Sequence, residues 1–135
     1  MARKDRVRGA TIVSWICQVL VATILGQTLF FKFTGAPESV YIFEKLGAEP
    51  WGRIGSGLLE LTAAVLLVWP RFAVLGSVLA AGVILGAIGA HITVLGIVVQ
   101  GDGGLLFVLA LIVLAGALTI LILRRRELPV IGSRF

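Results

Sequence analysis

Four residues could do chemistry in this chain: Glu60, Lys32, Arg53 and His91. Glu60 sits at the middle of an apolar run from Trp51 to Trp69, WGRIGSGLLELTAAVLLVW. If that run is a helix, the carboxylate lies about 13 Å from either end, near the midplane of a hydrocarbon layer about 30 Å thick. An ionisable group there costs roughly 2.5–3.5 kcal/mol on the lenient insertion scale and normally faces protein with a partner. Arg53 precedes it by two turns, about 10 Å of rise, so the two long side chains can meet directly or through water. Lys32 ends the preceding apolar run; its simpler reading is a stem that snorkels to the outer surface, and the alternative is a buried pair with Glu60. His91 lies about eight residues before the end of a run directed outward. The commonest role for such a histidine is a bond to a backbone carbonyl or a hydroxyl. The three basic groups lie in the outer half of the layer, and Glu60 nearly does. Together they can bind a polar head group and exchange protons, or they can form a structural ion network that fixes the fold.

Other chemistries find less support. Zinc needs three or four close ligands, and the chain has one histidine and one cysteine, so no metal site is expected. Cys17, within the first apolar run, has no second thiol for an internal disulfide or CxxC pair and reads as a small packing residue. No phosphate-cradling glycine loop, haem motif or Ser/His/Asp set occurs.

The elements that must position these residues follow from composition. The 135 residues are 59% hydrophobic and 14% charged, with a mean hydropathy of +1.07. That is too little polar surface for a soluble domain and too little charge for disorder. The expectation is all-α: one integral membrane domain over residues 1–135, an antiparallel four-helix bundle with a short interfacial helix between the first and second spans. The spans are Ala10 to Phe33, Trp51 to Trp69, Phe72 to Val99 and Leu105 to Leu123. Thr11, Ser14, Gln18, Ala22, Leu25, Leu29 and Lys32 share one stripe of the first and form its interior face; Gln27, on the opposite side, is unexplained by that assignment. Between the first two spans, Pro37 to Gly47 is too short to cross. It suits an amphipathic helix with Val40, Phe43 and Leu46 on one side, acting either as a lid or as an ordered connector. Arg53, Ser56, Gly57, Glu60, Ala63, Ala64 and Leu67 share a face of the second span. In the third, 28 residues long and so required to tilt or protrude, Gly82, Gly86 and Gly89 make a small-residue stripe suited to helix packing or homodimerisation. His91 points away from it. Gly101 to Gly104 read as a tight turn, with Asp102 capping the fourth helix.

The net charge of +5 and pI near 10.4 follow membrane topology. Nine of the twelve basic residues, among them Arg3, Lys4, Arg6, Arg8, Arg71 and Arg124 to Arg126, fall on one side of the spans, with Lys32, Lys45 and Arg53 on the other. The positive-inside rule puts both termini in the cytoplasm of a multi-pass inner (plasma) membrane protein. The basic clusters suit acidic lipid head groups rather than nucleic acid.

The stretches FKFTG, PESVYIFEKLG, EPWGRIGSGLLEL, WPR, GAIGAHITVLG and GDGGLLF resemble the DoxX-like membrane proteins over nearly the whole chain from about Phe30. Lys32, Glu60, Pro70, Arg71 and His91 carry the match. The resemblance implies a four-helix membrane bundle, with an association to quinone-linked sulfur oxidation and to thiol or redox partner enzymes; the paired cysteines of relatives tied to dithiol chemistry are missing here. Three functions are then weighed. The first is a redox-associated subunit whose Glu60, Lys32, Arg53 and His91 handle the head of a quinone or similar lipid, with no intrinsic cofactor and with electrons supplied by a soluble or membrane partner. The second is a scaffold or assembly factor with a structural charge cluster and a helix-binding glycine face. The third, least supported because no inverted repeat or broken helix is present, is a small ion or solute transporter.

Overall fold

In the computed structural model, which describes residues 2–99 and 101–124, the apolar runs become helices: α1 (Ala2–Phe33), α2 (Pro37–Lys45), α3 (Trp51–Val68), α4 (Ala73–Ala90) and α5 (Leu105–Leu123). No strand occurs among the described residues. α1, α3, α4 and α5 are long and apolar enough to cross a membrane, and α2 is not. The chain is an all-α, multi-pass membrane protein built as a four-helix bundle. The segment after Arg124 lies outside the described residues.

α1 and α4 each pack on both α3 and α5. The four spans therefore close a ring of antiparallel neighbours with α1 and α4 on a diagonal. Lipid tails are as apolar as leucine, so such a ring is held by close packing and internal hydrogen bonds rather than by water exclusion. Glycines supply the close packing. A Cβ on Gly76 would lie 2.7 Å from the backbone nitrogen of Leu67 and 3.0 Å from the carbonyl of Ala63, which brings α4 onto α3; one on Gly116 would lie 2.6 Å from Val21, and one on Gly57 2.7 Å from Phe33. A polar chain runs alongside. Arg124 Nε donates to Ser14 Oγ (2.7 Å), Ser14 donates to Gln18 Oε1 (2.7 Å), and Gln18 Nε2 donates to the Leu67 carbonyl (2.6 Å). That carbonyl lies in the last turn of α3, where no intrahelical donor is left for it.

The expected interior stripe of α1 holds at Ser14, Gln18, Leu25 and Leu29, which are buried, whereas Thr11 is exposed. Cys17 packs beside the core without being part of it. Trp51 and Trp69, both well exposed, bracket α3 about 27 Å apart, as an interfacial tryptophan pair would.

The end of the third span needs correction. The third span does not continue to Val99. It finishes in a single π-turn, His91–Leu95, where the Gly96 N–H donates to the His91 carbonyl (2.7 Å) and Gly96 reverses the chain at φ +80°; residues 96–99 and 101–104 lie outside the helices, in place of the tight turn expected. Among the described residues, Gly82, Gly86 and Gly89 pack against no other helix, so the stripe is left open to a helix from outside or a second copy of the chain. All three are exposed, with nothing within 4 Å of a Cβ built on them, because Gly76, Ala80 and Ile84 turn the opposite face of α4 into the core.

Candidate functional site

The bundle is tight at the end bearing Ser14 and Arg124 and looser at the other. Buried positions of α5 begin only at Ala110, and beyond Ile84 the third span buries only His91 and Leu95. α2 lies across this looser end, against α1, α3 and the π-turn. Beneath it is a cavity of about 560 Å³, within the roughly 300–1,000 Å³ usual for small-molecule sites.

Glu60 stands in the wall of that cavity. Lys32 Nζ donates to its Oε1 and Thr28 Oγ1 lies 2.9 Å from its Oε2. The Lys32 and Glu60 side chains are only 15% and 6% exposed. The snorkelling reading of Lys32 is therefore overturned: the antiparallel packing of α1 on α3 sets the lysine opposite the carboxylate, and pairing relieves the cost of both charges. Thr28 Oγ1 is also 2.8 Å from the Leu25 carbonyl. With one hydrogen, the hydroxyl can donate to a Glu60 carboxylate, or donate to Leu25 and accept from a Glu60 carboxyl.

Arg53 does not reach Glu60. Its Nε lies 2.9 and 3.0 Å from the two carboxylate oxygens of Glu49, its Nη2 lies 2.8 Å from Glu49 Oε1, and its Nη1 donates to the Lys32 carbonyl. A carboxylate one turn away and an orphan carbonyl at the end of α1 are nearer than Glu60, two turns down. Arg53 is a clamp between α1 and the start of α3.

His91 lines the same cavity and is 6% exposed. Its Nδ1 lies 2.9 Å from the Gly96 carbonyl, the backbone-carbonyl bond expected for it, and its ring meets Phe107 edge-on at 5.6 Å. Next to it Asp102 organises the loop. Its Oδ1 accepts from the N–H groups of Val99 (3.0 Å) and Gly104 (2.8 Å), and its Oδ2 from that of Leu106 (3.2 Å), the first turn of α5. Burial alone would raise this carboxyl, but the three backbone donors and nearby His91 outweigh it and hold it below its ordinary value.

No protein-family model, curated protein or solved structure matches the chain.

Of the four candidate residues, Lys32, Glu60 and His91 share the cavity wall and Arg53 braces the helices outside it. Thr28 was not among the candidates, although its position one turn before Lys32 puts it on the same face. Glu49 and Arg53 likewise carry i,i+4 spacing legible in the sequence. Gln27, unexplained by the helix faces, also lines the cavity. Among the described residues no group of His, Cys, Asp and Glu is arranged to hold a metal ion.

Proposed function

We propose that this chain is a small DoxX-like membrane subunit, associated with a redox partner, that takes a quinone or other lipid-like ligand in the cavity beneath α2. One observation carries the reading: a paired Lys32–Glu60 site stands in the wall of a cavity whose other walls are largely apolar. Lipid-facing residues contribute to those walls. Phe31 and Leu59 are 44% and 49% exposed, and both line the cavity beside exposed Gly82 and Gly86, so a ligand dissolved in the bilayer has a sideways approach. Lys32 supplies a donor for a ligand oxygen and Glu60 a proton-exchanging group; electrons come from a partner enzyme. In this reading the α2 end faces outward and both termini lie in the cytoplasm of an inner (plasma) membrane, in contact with acidic lipids.

The test is mass spectrometry of the lipids retained on gentle purification. Wild type is expected to carry a non-phospholipid species that Glu60→Gln carries at least several-fold less of. Bulk phospholipid alone in both would remove the proposal.

A scaffold role has one observation in its favour, the uncovered glycine face of α4, which offers another helix or a second copy of the chain a close approach.

A further inference from the structure

The His91 ring has two nitrogens with different fates. Nδ1 faces the Gly96 carbonyl at 2.9 Å, and a carbonyl oxygen can only accept, so Nδ1 carries the hydrogen. In the neutral ring Nε2 is then a bare acceptor. Among the described residues no buried side-chain nitrogen or oxygen is both sealed from the surroundings and without a partner. His91 is 6% exposed and its Nε2 has no hydrogen bond to any described residue, so Nε2 is open to its surroundings; His91 is among the residues that line the cavity. The edge contact with Phe107 at 5.6 Å and the Gly96 bond hold the ring in this orientation from two sides.

An acceptor in an apolar cavity selects by hydrogen-bond polarity. A ligand that brings a hydroxyl satisfies it, and one that brings only a carbonyl or ether oxygen leaves two lone pairs opposed and both groups desolvated. We infer that His91 Nε2 accepts a hydrogen bond from a hydroxyl of the ligand, so that the cavity takes a phenolic lipid of the hydroquinone class in preference to the corresponding quinone. This rests on the reading of the cavity as a lipid-like site and adds to it which redox form is held. His91 acts here as a binding and specificity group.

Three probes separate the possibilities: a short-chain alkyl benzoquinone, its reduced hydroquinone, and the dimethyl ether of that hydroquinone. Each is titrated calorimetrically into the purified full chain in detergent, under nitrogen at about pH 8. The hydroquinone is expected to bind about tenfold more tightly than either of the others, the effect of leaving one buried acceptor unsatisfied. In His91→Phe, which keeps a ring of similar size, the three are expected to fall within about twofold of one another. Quinone or ether binding as tightly as the hydroquinone in wild type, a comparison that needs no variant to fold, would overturn the inference while leaving the lipid-ligand reading standing. A hydroquinone preference that survives undiminished in His91→Phe would overturn it as well. Binding of none of the three would remove both.

Discussion

Glu60 and Lys32 stabilise the bundle only as a pair. A carboxylate 6% exposed and deprived of its cation carries an uncompensated charge into an apolar setting, and breaking such pairs typically costs roughly 3–5 kcal/mol. Lys32→Met is therefore expected to lower stability in mixed-micelle unfolding by about 3 kcal/mol, and adding Glu60→Gln to restore most of it. A double variant no better than the single one would show that the charge pair is not the cause. Asp102 makes a pH-dependent contribution outside the spans. Its carboxyl is held below its ordinary value of 3.8, so its stabilisation is complete above that value and is lost as pH falls through the lowered native one. Protection factors of the Val99, Gly104 and Leu106 amides, with exchange corrected for the intrinsic rate at each pH, are expected to fall in that acid range and to hold steady above about pH 5, where an ordinary carboxylate is ionised. Glu60 was legible because position alone makes a mid-span carboxylate anomalous. The destination of Lys32 was not, since a snorkelling stem and an inward pair have the same sequence, and only the register of α1 on α3 distinguishes them.

Among the elements, α4 shows how far periodicity reaches. One glycine face is visible in its sequence, that of Gly82, Gly86 and Gly89. The contact within the chain uses Gly76, because the Pro70–Phe72 turn brings the beginning of α4 directly against the end of α3. Gly76→Leu would drive a side chain into the Leu67 backbone, and backbone cannot yield as a flexible side chain does; a loss of more than about 2 kcal/mol is expected. Gly86→Leu has open space and is expected to leave unfolding unchanged. If a partner helix binds there, the same variant lowers partner recovery from membranes; normal recovery argues against the scaffold role. The end of the third span was less legible. Apolar residues continue to Val99, and the stop comes from hydrogen bonds at His91 and Gly96 rather than from any break in hydropathy.

At the scale of the whole molecule, four spans, their order and the crossing helix α2 follow from run lengths and from the proline and glycine that delimit the short segment. The cavity does not. It arises because the spans pack tightly at the Ser14–Arg124 end and separate below α2, a property of summed side-chain volumes rather than of any motif. The central claim is that a lipid-like ligand occupies this space, and filling the space tests it without touching the polar pair. Ala87 lines the cavity and is partly buried, so Ala87→Phe places a ring where the ligand would sit. In native mass spectrometry of protein released from mild detergent, wild type is expected to retain one small non-phospholipid species, and Ala87→Phe to lose it while unfolding at a similar midpoint. The same retained lipids in both proteins would contradict the account.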